Sequence, residues 1–252
     1  MTEDLELTLV VPVYEEKENI IPFLNEVVYK IEKPHKVLII YDEDSDSTLE
    51  KMEEAKSIHP HIAFVKNSYG TGVINAFKTG YAMADSRYTV AIMADLSDMP
   101  ETVNEMYRRI QKGYDLVVGS RYVKGGAKVG GPLIKLLLSR VANLSLHLLT
   151  GIPTHDMTNA FIMYRRNVLE QIDICSNGGF EISMEIIGKA YLHGYRITEV
   201  PTVNRNRTGG KSKFKLLSWI IKYLYWYVYV LIGSNRKRFA QMMSRPEEGR
   251  VQ

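Results

Sequence analysis

The chain has 252 residues, of which 45% are hydrophobic and 24% are charged. This is the composition of a globular protein that can bury a sizeable core, and it favours one domain or one domain with an appendage. The lone cysteine, Cys175, excludes an internal disulfide, and the N-terminal residues lack a secretory pattern, so we expect a cytosolic setting. The net charge of +3 is too small to indicate nucleic acid as a partner.

The first half of the chain alternates short apolar runs with segments of helical periodicity. The apolar runs predict strands at 7–13, 36–41, 62–66, 88–93 and 116–120. The periodic segments predict helices at 18–31, 48–58 and 73–84. Strands joined by helices form a mostly parallel sheet covered on both faces, and its ligand lies beyond the carboxyl ends of the strands.

The second half begins with a long apolar helix pattern. It predicts a helix at 133–149, a loop at 151–161, a helix at 181–193 and a strand at 196–200. Basic residues are concentrated after that strand, at Lys211, Lys213, Lys215, Arg236, Lys237 and Arg238. The late part of the chain is therefore the basic part.

The segment 216–232 is nearly all apolar and carries two Trp and four Tyr. Its length is at the lower limit for crossing a bilayer. Ser218, Lys222, Tyr225 and Tyr229 recur at helical spacing on one face, and cationic residues flank both ends, which favours an amphipathic helix lying in the membrane interface. A core helix and a subunit contact are the alternatives. We therefore divide the chain into a domain at 1–213, an interfacial helix at 214–233 and a flexible polar tail at 234–252.

Acidic residues follow the first two predicted strands. Glu16 follows the first, close to Pro12 and Tyr14 at the strand end, and Asp42 follows the second. Carboxylates at the mouth of a parallel sheet can accept hydrogen bonds from a ribose or a base. Gly70 and Gly72, after the third strand, allow the backbone to approach a ligand closely. Together these residues predict a nucleotide site.

A second acidic loop follows the fourth predicted strand and contains Asp95, Ser97 and Asp98. Carboxylates at a strand end are the hard oxygen ligands that Mg²⁺ or Mn²⁺ uses to hold a diphosphate. Asp98 can alternatively cap the helix that Pro100 opens. Asp95 is therefore the principal predicted metal ligand.

These motifs, taken in order, resemble glycosyltransferase family 2, in particular its members that act on dolichyl and polyprenyl phosphates. The resemblance covers roughly residues 7–214 and rests on Pro12, Tyr14, Glu16, Glu18, Asn19, Ile20, Asp42, Gly70, Gly72, Ala76, Gly80, Asp95, Gly119, Ser120, Arg121, Tyr122, Gly125, Gly126, Ser139, Asn143, Asp156, Thr158, Glu185, Glu199, Val200, Pro201, Arg207, Thr208, Gly209, Gly210, Lys211, Ser212 and Lys213. It implies an α/β fold of the GT-A type, a nucleotide-sugar donor and a divalent metal.

The sequence departs from the family pattern at three points. Met93 replaces the first metal-site aspartate, and Ser97 replaces a glutamine. The acidic loop around Asp44 and Asp46 is one residue shorter than usual. Lys135 stands where these enzymes tend to have arginine. A lysine supplies a point charge, whereas an arginine supplies a planar guanidinium with several donors.

The resemblance implies that Arg121, Lys135 and Ser139 lie near the reaction centre with Asp95. Arg207, Lys211 and Lys213 are on a glycine-containing loop that can close over the diphosphate. The expected reaction is inverting transfer of a hexose from GDP-mannose or a UDP-sugar to a polyprenyl or dolichyl phosphate. We expect a peripheral enzyme at the cytoplasmic membrane face.

Two rival hypotheses remain open from the sequence. The acceptor can be a saccharide or a protein, and a carboxylate base such as Asp156 or Glu181 is then essential. The chain can also be a non-catalytic subunit that binds a sugar nucleotide, because Met93 has replaced the first metal aspartate. A homo-oligomer or a membrane-protein partner is compatible with the apolar segment.

Overall fold

A seven-stranded sheet forms the centre of the protein in the computed structural model, which describes residues 5–205 and 216–243. Side chains are described for these residues except at positions 135, 216–219 and 241–243. In chain order the strands are β1 (Leu7–Pro12), β2 (His35–Tyr41), β3 (Ile62–Lys66), β4 (Tyr88–Ala91), β5 (Leu116–Ser120), β6 (Ala127–Lys128), β7 (Ile162–Arg165), β8 (Ile197–Pro201) and β9 (Val203–Asn204).

The helices lie between the strands and cover the sheet on both faces. They are α1 (Ile20–Lys30), α2 (Met52–Ile58), α3 (Val73–Met83), α4 (Thr102–Gln111), α5 (Leu133–Thr150), α6 (Arg166–Gln171), α7 (Ile182–His193) and α8 (Leu216–Met243). A short 3₁₀ helix, Ser47–Lys51, precedes α2.

The central sheet has the strand order β3-β2-β1-β4-β7-β5-β8. All neighbouring pairs are parallel except those of β7, which runs antiparallel to both β4 and β5. The expected mostly parallel α/β sheet is confirmed. The sequence analysis missed β7, because its four residues directly follow a segment interpreted as a loop.

Apolar side chains of the strands pack into one core on each face of the sheet. Along β1, Val10 belongs to one core, while Leu9 and Val11 belong to the other, as the two-residue period of a strand requires. On α3, Gly80 lets the helix approach β1 closely, since a Cβ there would lie 2.2 Å from Val10. Burial on both faces explains why the strands are continuous apolar runs.

Two element boundaries differ from expectation for local reasons. The helix expected at 48–58 is divided into the 3₁₀ turn and α2, because the Asp46 carboxylate accepts the Thr48 N–H at 2.9 Å and caps a tighter turn. The strand expected to reach Met93 ends at Ala91. The Met93 N–H is directed to the Asp98 carboxylate at 3.3 Å.

Helix α8 ends at Met243, so it continues well beyond the expected end at residue 233 and includes the first residues of the segment expected to be a flexible tail. Trp226, one of the two Trp of the segment expected to lie in the membrane interface, is buried together with Val230, and both belong to a core that α7 also lines. Tyr225, expected on the polar face, is exposed beside apolar neighbours. Across the described ranges, none of the helices is long and apolar enough to span a bilayer.

Candidate active site

The loop after β1 is held against the loop after β2 by backbone donors. The N–H of Glu15 donates to the Asp46 carboxylate at 3.2 Å, and the N–H of Glu16 donates to Thr48 Oγ1 at 2.9 Å. Glu15 has a positive φ of 56°, which is strained for a residue with a side chain. Tyr14, next to it, is 51% exposed. This geometry presents an aromatic ring beside a buried Glu16 at the mouth of the sheet.

The Asp42 carboxylate, directly after β2, organises the glycine loop. One oxygen accepts the side-chain amide of Asn67 at 2.9 Å, and the other accepts the N–H of Gly72 at 2.8 Å. Gly70 and Gly72 have φ values of 97° and 102°, which L side chains rarely adopt. Asp42 therefore fixes the loop that precedes α3, and the glycine backbone stays open to a ligand.

The loop after β4 carries Asp95 and turns sharply. Leu96 has a positive φ of 59°, and the N–H of Ser97 donates to Asp95 Oδ1 at 3.0 Å. The side chain of Asp95 is buried in this loop, at 8% exposure. Backbone strain of this kind is typical of functional sites, where the surrounding structure holds it.

Asp98, three residues on, is turned into the protein. Its Oδ1 accepts the side-chain amide of Asn204 at 2.9 Å, and its Oδ2 accepts the N–H of Met93. Burial raises the pKa of Asp98 to about 6, although the hydrogen bonds from Asn204 and Met93 act to lower this pKa. Lys128 in turn donates to Asn204 Oδ1, so a hydrogen-bonded chain runs from Lys128 through Asn204 to the aspartate loop.

The residues of this loop fit a divalent cation that takes one carboxylate from the protein. Mg²⁺ sites commonly use one or two carboxylates, with phosphate oxygens and water completing the shell. Asp95 can supply that carboxylate, and the Asp98 carboxylate holds the loop through its hydrogen bonds to Asn204 and Met93. Within the described residues there is no cluster of three metal-ligating side chains. A metal here therefore depends on oxygens of the donor.

Arg121 and Asp156 form a buried ion pair at the end of β5. Arg121 Nε and Nη2 donate to the two Asp156 oxygens at 2.7 and 2.8 Å, and the Arg121 N–H donates to Oδ2 at 3.0 Å. Burial opposes the charge on Arg121, but the charge of Asp156 and these bonds outweigh it and raise the pKa of Arg121. Asp156 is thus engaged as a partner of Arg121.

Ser139 connects α5 to this ion pair. Its hydroxyl lies 2.9 Å from the Tyr122 hydroxyl and 3.1 Å from Thr158 Oγ1, which itself accepts from Arg121 Nη2 at 2.9 Å. Asn143 donates to Thr158 and accepts the N–H of Met157 at 2.6 Å. The network fixes the first half of α5 relative to Arg121.

A cavity of about 490 Å³ opens beside this network. Its walls are residues 121–128 together with Leu136 and Arg140 of α5. Gly126 lets the wall fold closely on itself, because a Cβ there would lie 2.3 Å from the Ser120 carbonyl oxygen. Among the described residues, the lining contains four cationic side chains and no carboxylate, which suits an anionic ligand.

The structure gathers most of the predicted site residues at the carboxyl edge of the sheet, in three groups. The nucleotide group contains Pro12, Tyr14, Glu16, Asp42, Gly70 and Gly72; the aspartate loop contains Asp95, Ser97 and Asp98; the acceptor group contains Arg121 and Ser139. The charges of Arg121 and Asp98 influence each other's pKa, so the last two groups are neighbours. Arg207, Lys211 and Lys213 lie outside the described residues, as does the side chain of Lys135 on α5.

Sequence reasoning did not select Lys128, Asn204 or Thr48 for the site. Asn204 is 106 positions from Asp98, and its strand β9 has two residues, so no local pattern indicates the contact. Lys128 was one lysine among many. Gly125 and Gly126, which precede Lys128, were a sequence signal that the chain turns tightly there.

Glycosyl transferase family 2 matches residues 8–173. Polyprenol monophosphomannose synthase of Mycolicibacterium smegmatis is 30% identical over 232 residues, which are 85% of this chain and 86% of that protein. Dolichol-phosphate mannosyltransferase of Pyrococcus furiosus is 29% identical over 216 residues, 84% of this chain. The match spans 60% of the length of the Pyrococcus protein.

Solved structures share the fold at low sequence identity. Glucosyl-3-phosphoglycerate synthase of Mycobacterium tuberculosis, in complex with Mn²⁺, UDP and its product, has a TM-score of 0.68 at 13% identity, over 90% of this chain and 80% of that chain. S. aureus TarS 1-349 in complex with UDP-GlcNAc has a TM-score of 0.57 at 19% identity, over 82% of this chain and 60% of that chain. These likenesses confirm the expected GT-A architecture.

Proposed function

The chain belongs to glycosyl transferase family 2 and is a glycosyltransferase, and on this basis we propose that it transfers a hexose from a nucleotide sugar to a polyprenyl phosphate. The observation that carries the acceptor class is the carboxylate-free cationic cavity beside Arg121. The names of the two relatives, a polyprenol monophosphomannose synthase and a dolichol-phosphate mannosyltransferase, support the same class and favour mannose as the sugar.

The nucleotide sugar, GDP-mannose or a UDP-sugar, binds at the carboxyl edge of β1 and β2. Tyr14 and Glu16 contact the nucleoside, and Asp42 holds the glycine loop against it. Gly70 and Gly72 approach the phosphates with their backbone. Arg207, Lys211 and Lys213, which lie outside the described residues, carry positive charges suited to binding the diphosphate.

Asp95 would hold a divalent cation, Mg²⁺ or Mn²⁺, which would supply positive charge to the departing nucleoside diphosphate. The Mn²⁺ present in the glucosyl-3-phosphoglycerate synthase complex supports this assignment. Ser97 and Asp98 shape the strained loop that holds Asp95, through the bonds to Asp95 Oδ1 and to the Met93 N–H. Met93 contributes no carboxylate, so the site depends on Asp95.

Arg121, Lys135 and Ser139 hold the phosphate of the acceptor. A phosphate oxygen attacks the anomeric carbon, the bond from that carbon to the diphosphate breaks, and the configuration inverts. The phosphate is already an anion, so the reaction needs little help from a base. Asp156 is the anchor of Arg121 in this mechanism, since both of its oxygens accept hydrogen bonds from Arg121.

The protein lies on a membrane through an apolar surface that α5 and α8 form. We define the apolar surface by its exposed side chains, Leu133, Ile134, Leu137, Leu138, Val141, Leu144, Leu148 and Leu149 on α5, and Ile220, Ile221, Leu224, Tyr225, Val228, Tyr229, Ile232 and Phe239 on α8. The two helices touch through Ser145 and Tyr227 at 2.9 Å. Exposed apolar patches of this size mark an interaction site.

A lipid surface fits this patch better than a protein partner because the cationic cavity opens at its edge. Leu136 and Arg140 of α5 line the cavity, while Leu137 and Leu138 beside them are 63% and 54% exposed. A polyprenyl phosphate has the same division, an anionic head and an apolar chain. The peripheral position at the cytoplasmic face is the one at which such a lipid and a nucleotide sugar meet.

The decisive experiment is radiolabel transfer. Purified protein with Mg²⁺ or Mn²⁺ is incubated with a panel of GDP- and UDP-sugars and a polyprenyl phosphate in detergent. Label should enter the organic phase with the wild type and with the control Asp173→Ala, whose side chain is exposed away from the site, and it should be lost with Asp95→Ala. Nucleotide binding without transfer to any lipid would contradict the proposal.

A saccharide or protein hydroxyl is the second candidate acceptor, and Glu181 is the observation that favours it. Its side chain is 1% exposed, Oε1 accepts the Gly178 N–H at 2.7 Å, and Oε2 has no hydrogen-bond partner. A hydroxyl acceptor requires such a base, whereas a phosphate does not. Glu181→Gln should leave transfer to polyprenyl phosphate within about threefold of wild type. Wild-type transfer to a saccharide or protein hydroxyl that falls about 10²-fold or more in Glu181→Gln would favour the hydroxyl acceptor.

A further inference from the structure

Lys128 lies where the cationic cavity meets the aspartate loop. On β6 it is in register with Asn204 of β9, and its ammonium donates to Asn204 Oδ1. The Asn204 amide nitrogen donates in turn to Asp98. The position of the ammonium is therefore fixed by two strands and a hydrogen-bonded chain, which is unusual for a flexible lysine.

The charge of Lys128 is incompletely compensated. Burial lowers the pKa of Lys128, and the positive charge of Arg121 lowers it further, while the charges of Asp98, Asp95 and Asp156 act in the opposite direction without outweighing burial. Among the described residues, its hydrogen-bond partner is the neutral amide of Asn204. An ammonium has three donors, so donors remain for a ligand in the cavity that Lys128 lines.

The other cations of the cavity differ from Lys128. The charge of Arg121 is partly neutralised by its ion pair with Asp156. Lys124 and Arg140 are exposed, and ordering their long side chains costs conformational entropy on binding. Lys128 is partly buried and already held in place, so its side chain loses less conformational entropy when an anion binds.

We propose that Lys128 binds the phosphate of the acceptor and that Asn204 is its positioning residue. This inference rests on the proposed function and deepens it, because it adds a cation to the acceptor phosphate site beyond Arg121, Lys135 and Ser139. It also links that phosphate to the loop of Asp95 through Asn204 and Asp98. Lys128 contacts the substrate, whereas Asn204 acts through Lys128.

The test compares Lys128→Gln and Lys128→Arg with wild type and with the control Lys112→Gln. Lys112 is exposed at the end of α4, beyond the opposite end of β5. Binding of farnesyl phosphate is measured by calorimetry without donor, and the KM values for acceptor and donor are measured in the transfer assay. Lys128→Gln should raise the farnesyl phosphate Kd and the acceptor KM by about 10- to 100-fold, the effect of one hydrogen bond between charged groups. The donor KM should stay within about twofold, and Lys128→Arg should recover part of the affinity.

Asn204→Ala tests the positioning role. It should weaken farnesyl phosphate binding in the wild type and have no further effect in the Lys128→Gln background, because the two residues act as one unit. Equal losses in both backgrounds would show a role independent of Lys128. Thermal unfolding of each variant checks that it is folded.

The outcomes separate this inference from the proposed function. Wild-type transfer to polyprenyl phosphate with an unchanged acceptor KM and an unchanged farnesyl phosphate Kd in Lys128→Gln would overturn the role of Lys128 alone. A wild type that neither binds farnesyl phosphate nor transfers sugar to a polyprenyl phosphate would overturn the proposed function, and the role of Lys128 with it.

Discussion

Arg121 and Asp156 are joined by two parallel hydrogen bonds of 2.7 and 2.8 Å, and the Asp156 side chain is wholly buried. Removing one partner of such a pair leaves the other buried and uncompensated, which costs about 3–5 kcal/mol of stability. Arg121→Gln and Asp156→Asn should each lower the free energy of unfolding by this amount. The double variant should lose clearly less than the sum, measured by chemical denaturation.

Additive losses in that cycle would show that the two side chains contribute independently. Thr158→Val is a comparison variant, since it leaves the ion pair but removes the hydrogen bonds of Thr158 Oγ1 to Arg121, Asp156, Ser139 and Asn143. Each neutral hydrogen bond contributes about 1 kcal/mol, so the variant should be destabilised without leaving a buried charge unpaired.

Gly72→Ala should weaken binding of the nucleotide sugar. Gly72 has φ 102° and ψ 155°, a conformation confined almost entirely to glycine, and no atom lies within 4 Å of an added Cβ. The variant therefore acts through backbone strain of about 1–3 kcal/mol, which shifts the loop away from the Asp42 carboxylate. Equilibrium binding of GDP-mannose or UDP-glucose with Mn²⁺ measures the effect.

Gly194→Ala is the matched control for Gly72. It also has a positive φ, of 88°, and open space around it, but it ends α7. It should lower stability to a similar degree and leave nucleotide affinity unchanged. Equal nucleotide affinity in the Gly72→Ala variant would mean that this loop does not contact the donor.

The apolar surface of α5 and α8 should bind lipid vesicles. Leu137 and Ile221 are 63% and 73% exposed, so replacing both by Asn leaves the core intact and removes about 1.5–3 kcal/mol of burial for each side chain that enters the membrane. Co-sedimentation with anionic phospholipid vesicles should weaken at least about tenfold. Unchanged co-sedimentation would exclude this surface as the membrane contact.

A pair of exposed apolar residues on α1 provides the control for that experiment. Val28 and Tyr29 are 48% and 88% exposed and lie outside the apolar surface. Replacing both by Asn should leave vesicle binding as in the wild type. An equal loss in this variant would indicate a general effect of surface hydrophobicity.

His59 should make the protein sensitive to acid. Its ring lies 4.8 Å from that of His35, and burial, with the charges of His35 and His61, lowers the pKa of His59 to about 4. The unfolded chain binds this proton near pH 6.5, so the stability contribution is complete above that pH and is lost as the pH falls towards 4. The loss attributable to His59 is about 2 kcal/mol between pH 7.5 and 5.

The measurement is denaturant unfolding of the wild type and of His59→Leu at both pH values. The difference in unfolding free energy between the two proteins should shrink by about 2 kcal/mol at pH 5, because the variant lacks the titrating group. His193→Leu, at the exposed end of α7, should show no such change. A pH-independent difference for His59→Leu would contradict the expectation.

The parts of the fold that follow a local pattern were predictable. β1 and β2 are apolar runs because both faces of the sheet are covered, Asp42 directly follows β2, and Asp95 lies in the loop after β4. The antiparallel strand β7 was missed because its apolar run is short and follows a polar loop. Its place between β4 and β5 depends on pairing over long sequence separations.

The sequence predicted the residue types of the candidate site but not the contacts between its side chains. Arg121 was identified, but its partner Asp156 was considered as a base, since sequence does not show that both carboxylate oxygens are occupied. The contact of Lys128 with Asn204 arises from two strands of two residues each, too short for any periodicity. Such contacts are set by tertiary structure.

The antiparallel course of β7 has a consequence for how the enzyme can diversify. The chain leaves its pairing with β7 at Gly119 and returns to it at Phe161, whose carbonyl accepts the Gly119 N–H at 2.9 Å, so the segment between them is one excursion from a closed stem. Lengthening a flexible loop within such an excursion costs little, because each doubling of the loop adds only about 0.6 kcal/mol of closure entropy. Loops of this segment can therefore be resized while β1, β2 and β3 keep their geometry.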